Sequence, residues 1–288
     1  MELHNNAPVP HLSRRAFLRT GALGLTSLAF IGSAYAITEK DEYDLVERTI
    51  AIKHLPDSFR GFTIGLMSDI HSSVFMNRDD MKGYVAAMNA LKTDIIFVTG
   101  DFVNSKTEEV YPFAEAFSQL NAPHGVYGVL GNHDYFADVE TVAKEVDGCG
   151  VKLIRNDTVK ITRGDAFINL VGVDDIGRGV KPAEYIGRAL SGVSNDAPRI
   201  LLCHKPYFMD EFSNNQFDLV FSGHTHGGQI VFAKINDTYI TPASLFSKYV
   251  WGLYKQNGTQ MYVNRGIGSV GLPFRVNCPP ELTKVTLA

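Results

Sequence analysis

Residues 217–230 read "FDLVFSGHTHGGQI". An apolar run, Leu219-Val220-Phe221, stops abruptly at two histidines one residue apart, His224 and His226, set among Gly223, Gly227 and Gly228. The run has the length and composition of a buried strand. Two imidazoles at i and i+2 project from the same side of an extended backbone. One histidine there is most often a packed core residue. A pair needs a partner, and the usual partner for clustered neutral imidazoles is a metal ion. The reading of the whole chain turns on whether other strands end in further ligands.

They do. Apolar strands are expected over 62–69 ("FTIGLMSD"), 94–101 ("DIIFVTGD"), 125–134 ("GVYGVLGNHD") and 199–204 ("RILLCH"). Between the first two, Met81, Tyr84, Val85, Met88 and Leu91 recur at helical period within 77–91. Helices are also expected over 110–120 and 139–146. Shorter β-like runs follow at 151–154, 158–162, 166–173, 229–232, 260–263 and 282–287. The early alternation of strand and helix argues for a parallel sheet with crossover helices. The later part is richer in β. Two sheets packed face to face with helices outside satisfy both halves, so the expected fold is an α/β, two-sheet αββα sandwich formed by one domain over residues 37–288.

Five strand ends carry the same kinds of residue: Asp69 and His71; Asp101; Asn132, His133 and Asp134; His204; His224 and His226. Of nine histidines, five fall at these points, and His4, His11, His54 and His124 do not. Ligands bind at the carboxyl ends of parallel strands. Asp, Asn and His together make an oxygen and nitrogen site suited to borderline divalent metals. Asp69, His71, Asp101, Asn132, His204, His224 and His226 are too many for one ion. Two ions sharing one carboxylate would leave positions open for water and substrate, the clamp used for in-line displacement at phosphorus. On an extended strand His224 and His226 lie about 6–7 Å apart, enough to give one to each ion. The glycines permit close approach of the backbone.

This ordered set resembles the calcineurin-like metallophosphoesterase superfamily, from about residue 62 to the end of the chain. "GHTHGGQI" and the closing "NRGIGSVGLPFRVNCPPEL" resemble its branch of small exported bacterial phosphodiesterases of the YaeI and YkuE type. The resemblance implies a metal-dependent phosphodiesterase with two divalent ions, manganese, iron or zinc, and a hydroxide between them as nucleophile. Asp69, His71, Asp101 and His226 would hold the first ion. Asp101, Asn132, His204 and His224 would hold the second, with Asp101 bridging. His133 would protonate the leaving alkoxide or contact the phosphoryl oxygens. Asp134 is read either as orienting the His133 ring or as a plain turn residue. Asn104 is read either as contacting metal-held water or as a loop cap. Two other functions stay open: a pyrophosphatase for a UDP-2,3-diacylglucosamine-type lipid precursor, and a non-catalytic protein that binds metal or cell wall.

Composition narrows the partners. The chain carries a net charge of -4 and no basic run, so no nucleic-acid-binding patch is expected and any phosphate must be held locally. No P-loop or dinucleotide fingerprint occurs. Arg178 and Lys181 lie in a loop that is either solvated or reaches a phosphate. Three scattered cysteines cannot form a disulfide framework and are read as small buried apolar residues. Residues 1–36 read as a Tat-type signal peptide: Arg14-Arg15, an uncharged run from Gly21 to Ala36, and a closing Ala34-Tyr35-Ala36. The expected location is across the cytoplasmic membrane, in the periplasm or at the cell surface, after passage through the Tat machinery. An uncleaved membrane anchor is the alternative, although 16 residues is short for a span. The aromatic segment 239–254 is read as a packed excursion over the sheet edge. Its second reading is an apolar lip that accepts acyl chains or rests on a membrane.

Overall fold

The computed structural model describes residues 42–175, 182–212, 216–235 and 238–288. The expected signal peptide, residues 1–36, and the stretch from Arg178 to Lys181 lie outside them. Strand β2 (Thr63–Met67) is followed by helix α1 (Arg78–Ala90), β3 (Ile95–Val98), α2 (Val110–Phe117), β4 (Val126–Gly128), α3 (Val139–Gly148) and β5 (Val151–Leu153). These four strands are mutually parallel, as the β–α alternation requires. Helix α1 starts where the side chain of Asn77 accepts from the N–H groups of Asp79 and Asp80 while Asp80 caps Asn77 in return. On the far edge, β1 (Asp44–Ile50) runs parallel to β14 (Glu281–Leu287), which pairs antiparallel with β2. The first sheet therefore has the order β1-β14-β2-β3-β4-β5.

The second sheet, β12-β13-β9-β8-β7-β6, is built from β6 (Asp157–Arg163), β7 (Ala166–Gly172), β8 (Arg199–Leu202), β9 (Leu219–Ser222), β12 (Gly252–Gln256) and β13 (Thr259–Val263). Its four central strands, β7, β8, β9 and β13, are parallel. Strand alternation explains why the sheets stack. Ile64, Leu66, Ile95 and Phe97 of the first sheet meet Ile200, Leu202, Leu219 and Phe221 of the second in one core. The rings of Phe97 and Phe221 lie 5.6 Å apart across it. The alternate residues face outward. Met67, Ile96 and Val98 pack under α1, α2 and α3. Leu201, Val220 and Met261 pack under α4 (Pro182–Ala189) and its neighbours. Strands buried on both faces read as continuous apolar runs, which is why they were legible. The architecture is the expected αββα sandwich.

Three local readings change. β1, sequence DLVERTI, was unexpected because most of it is exposed and carries no apolar run. Helix α4 was also missed. Residues 229–232 form no strand: Gly227 and Gly228 take positive φ, the chain turns, and Ile230 makes a single bridge to Val276. Cys203 and Cys278 are buried as expected, and Cys149 is half-buried. Replacing Phe97 with Ala opens the inter-sheet core and should cost about 3–5 kcal/mol. Equilibrium urea unfolding of the two proteins measures it.

Candidate metal centre

The seven expected ligands come from five loops, each leaving the carboxyl end of β2, β3, β4, β8 or β9. Asp69, His71, Asp101, His204 and His226 are buried. Asn132, His133 and His224 are half-buried. One group comprises Asp69, His71 and His226, a second comprises Asp101, His204 and His224, and a third, His71, Asp101 and His133, lies between them. Asp101 joins them. Its Oδ2 is 3.0 Å from His204 Nε2 and 3.5 Å from His71 Nε2. His226 Nε2 lies 3.3 Å from Asp69 Oδ1 and 3.1 Å from His71 Nε2. His224 Nδ1 lies 3.3 Å from His204 Nε2. Ligand atoms about 2.0–2.2 Å from a common metal sit roughly 3–3.6 Å from one another, which is the spacing seen here. The side-chain oxygen of Asn132 is buried without a hydrogen-bond partner, so it has a lone pair to offer. The donor set fits divalent ions.

Backbone conformation brings these side chains inward. Asp69, His71, Asp101, His224 and His226 all have positive φ, between 49° and 73°. Each such residue costs on the order of 1–3 kcal/mol, strain that concentrates at functional sites. It also corrects the simplest reading of the GHTH motif. His224 and His226 are not successive residues of a strand. Both are left-handed, and His226 opens a 3-10 turn over His226–Gly228. They still reach different groups, by a turn rather than by the pleat. Gly223 has a specific reason to lack a side chain: a Cβ there would collide with Ser68 and the Asp69 carboxylate. Its absence lets His224 N–H donate to both oxygens of Asp69, at 2.9 and 3.0 Å.

Asp134 has a role different from the one considered for it. It does not touch the His133 ring. Its buried carboxylate accepts the backbone N–H groups of Asp101, Phe102, Val103 and Gly131 at 2.8–3.2 Å, tying the β3 loop to the β4 loop. The His133 ring is instead held by Nδ1 donating to the carbonyl of Asn104. Asn104 therefore acts through its backbone. The N–H of His133 donates to Asp101 Oδ1 at 2.8 Å.

Arg275 was not anticipated as part of the site. Fully buried, its guanidinium donates to the carbonyls of His226, Arg265, Gly266, Gly268 and Cys278. It fastens the loop behind Asp69 to the turn that carries His226. The signal lay in the closing motif "NRGIGSVGLPFRVNCPPEL", where an arginine sits among small and apolar residues.

Electrostatics prepare the site for cations. Burial holds His71 and His224 down to about 3, and holds His226 well below its ordinary value, so all three are neutral donors. Burial opposes ionisation of Asp101, but His204 and His71 around it keep the carboxylate well below the usual range. His204 is disfavoured as a cation by burial, yet the Asp101 carboxylate pushes it up to about 10. Burial raises Asp69 to about 6.

The family model described as calcineurin-like phosphoesterase matches residues 62–228, more than half of the chain. The chain belongs to the calcineurin-like phosphoesterase family. It is 34% identical to the metallophosphoesterase YkuE of Bacillus subtilis (strain 168) over 96% of this chain and 98% of that one. It is 31% identical to the transmembrane protein with metallophosphoesterase domain of Danio rerio, over 84% of this chain and 57% of that longer protein. Among solved structures, TT1561 of Thermus thermophilus superposes with a TM-score of 0.50 at 14% identity, covering 73% of this chain and 90% of that one, a likeness of fold.

Metal binding to this phosphoesterase should release protons. Near pH 8, His204 carries a proton and Asp69 does not, so loading should release close to one proton per chain; near pH 5, both are protonated, and the release should approach two while affinity falls. Titration calorimetry in buffers of different ionisation enthalpy counts these protons.

Proposed function

We propose that the chain is a phosphodiesterase working with two divalent ions, manganese, iron or zinc in preference to magnesium because four of the seven ligands are imidazoles. The observation that carries the two-ion reading is Asp101, placed between two groups of ligands and within 3.0–3.5 Å of a histidine in each. Asp69, His71, Asp101 and His226 would hold one ion. Asp101, Asn132, His204 and His224 would hold the other. When bound, such a pair supplies Lewis-acid activation of water and of a phosphoryl oxygen.

The protein's own groups do the rest. Asp134 fixes the backbone of Asp101. The Asn104 carbonyl takes the Nδ1 proton of His133, which leaves Nε2 as the nitrogen that gives or receives a proton at the substrate. The T-shaped contact of His133 with His71, 4.6 Å between ring centres, keeps that imidazole beside the ligands. A diester is favoured over a monoester on charge. Among the described residues, Lys205, next to His204 in the chain, is paired with Asp175 at 2.8 Å, and Arg275 is committed to backbone carbonyls. A monoanionic diester needs less added positive charge than a dianionic monoester.

Elemental analysis after reconstitution should find about two ions per chain. The reconstituted protein should hydrolyse bis(p-nitrophenyl) phosphate in preference to p-nitrophenyl phosphate. A monoester preference would overturn the diester assignment. His133→Gln should keep both ions and lower kcat by roughly 10²–10⁴-fold, most severely for poor leaving groups. Loss of the ions in that variant would make His133 a ligand, while retained ions with a uniform loss over leaving groups would make it a phosphate-positioning group.

Export through the Tat machinery is proposed from the Arg14-Arg15 pair ahead of the apolar run. Arg14→Lys combined with Arg15→Lys should leave the precursor in the cytoplasm. Unchanged export of that variant would remove the Tat assignment, and the N-terminus of the exported form reads whether residues 1–36 are retained.

A further inference from the structure

The turn after His133 leaves a large aromatic side chain mostly in water: Phe136 is 64% exposed. Single exposed apolar residues are common on protein surfaces, but this one is held in place. Its N–H donates to the carbonyl of His133 at 3.0 Å, closing a turn over residues 133–136. Each neighbour in that turn is pinned. The Asp134 carboxylate is buried on the backbone of the β3 loop. The Tyr135 hydroxyl is in hydrogen-bond contact with Asp174 and Arg155, and Arg155 is itself paired with Asp174 and Glu140, at 3.1 Å each. Ala137 packs against the core under α1, α2 and α3. The N–H of Asp138, the cap of α3, donates to Thr107 Oγ1 at 3.0 Å. A ring on so constrained a turn has its position set before anything binds, so a ligand that covers it need not order it first.

Its place indicates the occupant. The ring centre of Phe136 lies 4.9 Å from that of His133, the planes inclined at 60°. The His133 imidazole also meets His71 edge-on at 4.6 Å, so one ring contacts both a ligand-type histidine and Phe136. His133 Nδ1 is committed to the Asn104 carbonyl, which leaves Nε2 for proton transfer. When a P–O bond breaks, the departing oxygen takes that proton, and the two atoms must then lie about 2.6–3.2 Å apart. The substituent on the oxygen begins one bond further on. A ring packed beside the imidazole is within its reach, because aromatic pairs meet with their centres about 4.5–7 Å apart. Charge narrows the substituent further. Two carboxylates, Asp174 and Glu140, border this turn against the one guanidinium of Arg155. A further anionic group on the substituent would be repelled there.

We propose that Phe136 is the specificity-determining contact for the leaving group, and that it selects phosphodiesters whose departing oxygen carries a planar, uncharged ring. The inference rests on the reading of the chain as a diesterase with His133 as proton donor. Phe136 moves no proton itself. It holds the departing group where His133 Nε2 can reach its oxygen.

Phe136→Leu keeps an apolar side chain and removes the ring, and Phe136→Trp keeps a ring; the position is exposed enough to accept both without repacking. Calorimetry on the metal-loaded proteins compares two non-hydrolysable analogues in which carbon replaces the leaving oxygen, monomethyl benzylphosphonate and monomethyl cyclohexylmethylphosphonate. The unsubstituted protein should bind the planar analogue tighter by roughly 2–10-fold. Phe136→Leu should bring that ratio close to one, and Phe136→Trp should keep it. The kinetic arm compares kcat/KM for methyl phenyl phosphate and methyl hexafluoroisopropyl phosphate, whose leaving alcohols are of similar acidity and so need a proton alike. Phe136→Leu should lower the phenyl ester relative to the fluoroalkyl ester by the same factor. A binding ratio that Phe136→Leu leaves unchanged overturns the proposal. A binding ratio lost in that variant beside an unchanged kinetic ratio puts the ring at the retained substituent and overturns the leaving-group assignment. A parent protein that turns over neither ester fails the diesterase reading instead, and the binding ratio still decides whether Phe136 contacts the ring.

Discussion

Two carboxylates, Asp69 and Asp101, lie buried where the carboxyl edges of two sheets meet. An uncompensated carboxylate in such a place is among the costliest things a fold can contain, and much of the surrounding structure answers that cost. The backbone N–H of His224 binds both oxygens of Asp69. The N–H of His133 and the imidazole of His204 bind Asp101. A third buried carboxyl, Asp134, is pushed up to about 8 by burial and by the Asp101 charge, while the backbone donors of Gly131 and Val103 pull the other way. The net result is a pocket that draws positive charge while leaving three imidazoles neutral.

The same constraint accounts for the strained backbone. Five ligand-type residues occupy the left-handed region. Such a set persists only because the flanking elements over-determine it: β2, β3, β8 and β9 are buried on both faces, and Arg275 fastens the C-terminal loop from behind. Gly131 shows how tight the packing is, since a Cβ there would strike the Asp101 carboxylate. Strand rigidity and loop strain are two sides of one design, in which a stiff double sheet spends stability on short loops that aim their side chains at a common point.

The excursion 229–251 is the part of the site face that owes least to this core. Its one buried half is secured by Tyr249 and Val250, and its other half meets the ligand turn through Thr241. The scaffold can therefore vary here without disturbing the ligands, as surface connections on rigid folds generally can.

The sandwich was legible because strands covered on both faces must be apolar throughout, and helices covered on one face must repeat every three to four residues. The cluster of polar residues was legible because Asp, Asn and His have few reasons to recur at the ends of such strands. Weakly patterned pieces escaped: β1 is an exposed edge strand without an apolar run. The roles of Asp134, Asn104 and Arg275 were decided only in three dimensions. Each acts through backbone groups: Asp134 on the N–H of residues 101–103, Asn104 through its carbonyl on His133, and Arg275 on the carbonyls of residues 226, 265, 266, 268 and 278. Backbone donors and acceptors are the same in every residue, so a sequence carries no record of which one a side chain will meet. The sequence by itself determined which residue types the centre would contain and which strands would carry them. Only the tertiary structure decided which backbone those side chains would hold.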